Sequence, residues 1–170
     1  MAVGQPINRD FLTFSEISKG EGFMITDILH TSFTVSNMER SVAFYRDILG
    51  MEVVRDTAQA GVEFKGPLVD NLTNCPGSEL RIVFLRIKEK LLELIEYKPK
   101  GKPMGDHKSS DTGSAHVCFK TENIQELYKK LSANGARLHC TPQNLGGVWV
   151  IYFRDPDGIV LEAMQGDPLA

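Results

Sequence analysis

The chain has 170 residues, 42% hydrophobic and 24% charged, which suits one compact domain or two small modules sharing a core. A net charge of -3 leaves no basic footprint for nucleic acid, and no apolar run is long enough to span a bilayer. Cys75, Cys118 and Cys140 are odd in number and lack CxxC spacing, which argues against a disulfide framework or a zinc ribbon and fits a reducing cytoplasm.

Residues 1–24 read as an N-terminal extension, with Arg9, Asp10, Glu16 and Glu21 where a signal peptide would need an apolar core. Residues 25–35 alternate as a strand: His30, Ser32 and Thr34 share one face, Thr31, Phe33 and Val35 the other. A helix follows. Ser36 and Glu39 are spaced as a capping box, Met38, Val42, Tyr45 and Leu49 recur at helical spacing, and Gly50 is a natural stop. Its apolar stripe would pack on Phe33 and Val35, which leaves His30 on the opposite side of the sheet.

Residues 51–75 are broken by Gly61, Gly66 and Pro67 into short strands and a loop that carry no motif. Residues 80–85 and 91–97 read as two strands joined by the charged turn KEK, with Leu91, Glu93, Ile95 and Tyr97 on one face. Residues 98–113 (KPKGKPMGDHKSSDTG) are linker-like, a module boundary and a candidate mobile lid. The first module is therefore placed at 25–100, the linker at 101–113 and the second module at 114–166.

Beyond the linker the pattern restarts. His116, Cys118 and Lys120 share a face of a strand over 114–120. Ile124, Leu127, Tyr128 and Leu131 form a helical stripe that ends at Asn134-Gly135. Residues 149–153 are strongly β-prone, 155–158 are a turn, and 159–164 close the module with Glu162 between Leu161 and Ala163. His30 lies 20 residues before Gly50 and His116 lies 19 before Gly135; the histidine-to-glutamate intervals are 63 and 46. The order histidine, helix, strands, glutamate survives, and a βαβββ unit used twice is the simplest account.

Any one of these residues alone has a bland reading. A strand histidine is more often structural than a ligand, and Glu93 or Glu162 on a surface strand would project into water. Two histidines and two carboxylates at equivalent places in two repeats are instead what a shared four-ligand metal site needs. Two imidazoles and two carboxylates suit Zn, Ni, Co, Mn or Fe(II). Four protein ligands on a six-coordinate ion leave two positions for a substrate chelating through two oxygens, which polarises a carbonyl, while a glutamate serves as general base. His107, in the linker, and His139, beside Cys140, rate as surface or structural, although His107 could swing over a site. Cys118 is a candidate pocket residue. Arg46, Arg55 and Lys65 are candidates for an anionic substrate group, against the commoner role of solvated charge. Asp155-Pro156-Asp157-Gly158 reads as a tight turn positioning the Glu162 strand, and Trp149 as core.

The stretches HTSFTVSNMERSVAFYRDILGMEV, LLELIEY, AHVCFKTENIQELYKKLSANGARL and YFRDPDGIVLEAMQ together resemble the vicinal oxygen chelate superfamily, which includes glyoxalase I, bleomycin-resistance proteins, extradiol dioxygenases and methylmalonyl-CoA epimerase. The resemblance implies an α+β fold of paired βαβββ modules whose curled sheets form an open, barrel-like surround for one divalent metal. It implies His30, Glu93, His116 and Glu162 as the ligands, with Glu162 as proton shuttle and Glu93 as the other carboxylate available for it. It further implies a small-molecule substrate and a homodimer, some members completing each site across the subunit interface. Two departures count against glutathione thioester chemistry. Thr34 stands where glyoxalase I usually has an arginine that holds glutathione, and Tyr97 where it usually has asparagine.

The leading expectation is a metal-dependent lyase or isomerase of the glyoxalase and epimerase type, acting on a small α-oxygenated carbonyl compound. A ring-cleaving Fe(II) dioxygenase is the alternative; it needs one carboxylate, so Glu93 would be surplus. A drug-sequestering protein of the bleomycin-resistance kind would need no metal ligands, and a fosfomycin-type resistance transferase is a lesser possibility.

Overall fold

The computed structural model describes residues 25–168; the extension expected over residues 1–24 lies outside the described residues. The first strand, β1 (His30–Thr34), is shorter than its alternating pattern, and residues 25–29 precede it without regular structure. Phe33 and Val35 point into the core and His30 to the other side, as the pattern predicts.

Helix α1 (Met38–Ala43) continues through a π-helical turn, Phe44–Ile48. Its cap differs from the expected capping box. Asn37 accepts from the Arg40 backbone N–H at 2.9 Å, while Ser36 donates from its backbone N–H to Asp157, 3.0 Å away and 121 residues on. The reason is tertiary: a charged acceptor on a distant turn outcompetes the local partner for Ser36. Gly50 ends the segment with φ of +78°, a conformation open to glycine at no steric cost.

Strands β2 (Glu52–Asp56), β3 (Phe64–Lys65), β4 (Glu79–Ile87) and β5 (Lys90–Lys98) complete the first sheet, in the order β1-β5-β4-β2 with β3 beside β4. Only β1 and β5 run parallel. A short helix, α2 (Pro67–Thr73), lies between β3 and β4, started by Gly66 and by proline at its first turn.

The second sheet repeats the plan. It contains β6 (Val117–Lys120), β7 (Arg137–Leu138), β8 (Gln143–Leu145), β9 (Val148–Arg154) and β10 (Val160–Gln165), in the order β6-β10-β9-β7 with β8 beside β9 and β6 parallel to β10. Helix α3 (Ile124–Ala133) connects β6 to β7, capped by Asn123. The architecture is thus α+β, two open mixed sheets, with β3, α2 and β8 added to the plain βαβββ plan. His116 falls just before β6, which begins three residues later than its alternation suggests.

One hydrophobic cluster joins both halves: Val35, Met38, Tyr45 and Leu94 pack in the same core as Ile151, Phe153 and Leu161. Trp149 packs against it, partly buried. The seam also carries polar contacts. The fully buried Tyr45 donates its hydroxyl proton to Asp155 at 3.0 Å, and Arg40 pairs with Asp157 at 2.6 Å. The turn at 155–158 is therefore a docking point for α1 as well as the lead into β10. Since the core uses the helix-facing side of each sheet, the opposite faces are left open for chemistry.

Candidate metal centre

Alternation decides what each open face presents. On the first sheet, register places Ser32 beside Glu93, Glu93 beside Phe84, and His30 beside Leu91. His30 and Glu93 meet at 3.4 Å between Nε2 and Oε2. The imidazole edge rests on the Phe84 ring, with centroids 5.9 Å apart and planes at 79°. Toward Tyr97 the face is apolar: Val69, Leu80 and Ile82 form a second small core with Phe84, Ile95 and Tyr97 packed against it. Thr34 and Tyr97, the two departures from glyoxalase I, both lie on this face, where neither supplies a charge.

On the second sheet His116 Nε2 lies 3.0 Å from Glu162 Oε2. Glu162 is only 4% exposed, a burial that a carboxylate sustains only with partners. Its neighbours are His116, the Tyr152 hydroxyl and the Cys118 thiol. Tyr152 also stands 3.4 Å from His116 Nε2 and stacks on His139 with planes at 19°. Burial, followed by the Glu162 carboxylate, pushes the Cys118 thiol up to about 11. It is therefore a poor nucleophile in this setting. His139, held by the Arg154 guanidinium 3.2 Å away, has its imidazolium form disfavoured by burial and by Arg154 and Arg137.

Tyr152 and Phe84 were not singled out from sequence, yet hairpin arithmetic finds them. Glu162 pairs with Tyr152 across the 155–158 turn, and Glu93 pairs with Phe84 across the KEK turn. In each module the glutamate faces an aromatic residue on the neighbouring strand. His107, by contrast, is held away from free motion: its carbonyl accepts from Arg154 at 2.6 Å, while its Nδ1 is buried without a partner.

The four expected ligands thus form two His–Glu pairs. The pairs do not converge within one chain: among the described residues, no three His, Cys, Asp or Glu side chains gather in a group that could hold a metal ion. The donor chemistry still fits a borderline divalent metal, since each pair offers one imidazole nitrogen and one carboxylate oxygen at close range, with Glu162 already desolvated. Each pair supplies two of the four donors expected.

Comparison with known proteins points to the same fold. The model of the Glyoxalase/Bleomycin resistance protein/Dioxygenase superfamily matches residues 27–163. Lactoylglutathione lyase of Salmonella typhimurium is 23% identical over 142 residues, covering 81% of this chain and 91% of that protein. Among solved structures, a glyoxalase family protein from Bacillus cereus superposes with a TM-score of 0.73 at 17% identity, covering 87% of this chain and 97% of its own. The fosfomycin resistance protein FosX of Listeria monocytogenes, solved with Mn(II) and sulfate, gives a TM-score of 0.57 at 18% identity, covering 86% and 97%. Among the described residues no helix is long and apolar enough to cross a membrane.

Proposed function

The chain belongs to the glyoxalase/bleomycin resistance protein/dioxygenase superfamily, and from that premise we propose that it is a metal-dependent lyase or isomerase acting on a small α-oxygenated carbonyl compound. The observation that carries this reading is the pair of equivalent His–Glu contacts, 3.4 Å and 3.0 Å, on equivalent faces of two equivalent sheets. His30, Glu93, His116 and Glu162 would hold the ion. When bound, a divalent cation polarises a substrate carbonyl and acidifies the carbon beside it.

The chain's own residues then divide the work. Glu162 is the base: its carboxylate is nearly buried and lies 3.0 Å from His116. Tyr152, opposite Glu162 on the neighbouring strand and 3.4 Å from His116 Nε2, orients the pair. Glu93 is the second carboxylate, and the apolar face around Phe84 excludes water from the carbon that loses its proton. The ring-cleaving reading loses ground here, because it leaves Glu93 without a task although Glu93 contacts its histidine as Glu162 does.

Two separated half-sites make a homodimer part of the proposal, with the first half of one chain facing the second half of its partner. Metal analysis tests both parts at once. Wild-type protein is expected to hold about one Ni, Co, Zn or Mn per chain, and His30→Ala and Glu162→Ala to hold none. Unfolding and refolding the two variants together should restore roughly a quarter of the sites, because only mixed dimers contain one intact site. Recovery of none would sink the shared-site reading, and iron at full occupancy would favour oxygen chemistry.

A further inference from the structure

Strand β2 contains a β-bulge that decides where one arginine points. Glu52 pairs with Arg86 and Val53 with Leu85; then the register skips, so that Arg55 pairs with Phe84 and Asp56 with Val83. Val54 is the extra residue. Val53 packs toward the helix-side core and Asp56 meets Arg81 on that same side. In an unbulged strand Arg55 would follow Val53 onto the helix side, where a guanidinium would be desolvated. The bulge turns it to the open face instead, a re-aiming for which bulges beside active sites are known.

The row it joins runs Ser32, Glu93, Phe84, Arg55 across four neighbouring strands. Arg55 thus lies two strand spacings, on the order of 10 Å, from the Glu93 position. Phe84 fills the space between them, touching His30 on its other side. Arg55 is also unusual in its freedom. Arg40, Arg46, Arg81, Arg86 and Arg137 each pair with a carboxylate, and Arg154 is held by two backbone carbonyls and His139. Of the three cations marked from sequence as candidate anion binders, Arg46 is taken by Asp47 and Lys65 by Glu63. Among the described residues, Arg55 is the arginine with no such partner.

We infer that Arg55 is a specificity residue of this site, reading a carboxylate at the far end of the substrate while an apolar segment lies over Phe84. The inference rests on the metal-chelating function proposed above and names its substrate class: a molecule with two chelating oxygens at one end, a short hydrophobic middle and a carboxylate at the other. A planar guanidinium offers the paired donors that recognise a carboxylate; on the second sheet the open face carries Lys120, a point charge without that fork.

Two probes with the same chelating head separate the possibilities. Octanohydroxamic acid ends in a methyl group, and the monohydroxamate of suberic acid carries a carboxylate at the corresponding distance. Their binding to the metal-loaded dimer is measured by calorimetry for wild type, Arg55→Gln and Arg55→Lys. Arg55→Gln is expected to weaken the carboxylated probe roughly tenfold while leaving octanohydroxamate within about twofold. Arg55→Lys should keep part of that affinity, increasingly so at low salt. Equal effects on both probes, or none on either, would overturn the assignment and leave Arg55 a solvated cation. If neither probe binds wild-type protein whose metal content is confirmed, the chelation reading fails and this one with it. Loss of octanohydroxamate binding in Arg55→Gln alone would show a structural role and equally refute a specificity role.

Discussion

Arg81 stands between two acidic side chains on the helix side of the first sheet, 2.9 Å from Asp56 and in contact with Glu39. The guanidinium, with the backbone N–H of Ala58, holds the Asp56 carboxyl below the usual carboxylate range. Asp56 is almost buried, so Arg81→Ala is expected to cost about 1–3 kcal/mol by leaving that carboxylate short of a partner. The pH dependence follows from the sign of the shift. A depressed folded pKa stabilises the fold above the ordinary aspartate value, and the stabilisation is lost as pH falls through the folded value. Urea titrations at stepped acid pH should therefore show wild type losing stability more steeply below about pH 4 than Arg81→Ala. At the same scale the Tyr45–Asp155 contact is a buried pair. Tyr45→Phe should destabilise by about 1–3 kcal/mol, measured as a fall in the urea midpoint, since it strips a desolvated carboxylate of a donor.

Helix starts show where local and tertiary chemistry part company. Asn37 and Asn123 each accept from the backbone N–H three residues on, so either one changed to alanine should cost about 1 kcal/mol. Ser36 belongs to a different account. Its hydroxyl, like its backbone N–H, donates to Asp157, so the loss in Ser36→Ala should largely vanish in an Asp157→Ala background, whereas the loss in Asn37→Ala should persist there. A double-mutant cycle read from chemical denaturation separates the two. The capping-box spacing was legible and still misleading, because Ser36 and Asn37 are both good N-cap residues and only the distant turn breaks the tie. The stretch 51–75 was illegible for a related reason. Its short strand β3 and the bulge in β2 depend on pairing with β4 rather than on any periodicity of their own.

Over the whole molecule, one core built from both halves implies one unfolding event. Residues of α1 pack with β9 and β10, and the Arg40–Asp157 and Tyr45–Asp155 contacts cross the same seam. Calorimetry should give a single transition with matching calorimetric and van't Hoff enthalpies. If metal binds only the folded dimer, chelation should lower that transition temperature, and the effect should be absent in His30→Ala. A second transition, or a chelator effect that survives in His30→Ala, would contradict this account.

The repeat, the faces of the strands and the residues of both His–Glu pairs are legible in the order of amino acids alone. These follow from two-residue and 3.6-residue periodicities and from the order of elements, all of which are local or arithmetical. Glu93 and Glu162 stand out because a carboxylate amid apolar neighbours needs a partner, and both lie against the histidine of their own repeat. Tertiary structure alone decided that the two pairs do not converge within a chain, that Ser36 serves Asp157, and that Arg55 turns toward the open face. Each depends on which distant backbone lies alongside: the seam that fixes one half against the other, the turn that offers a charge, and the strand whose register admits one extra residue.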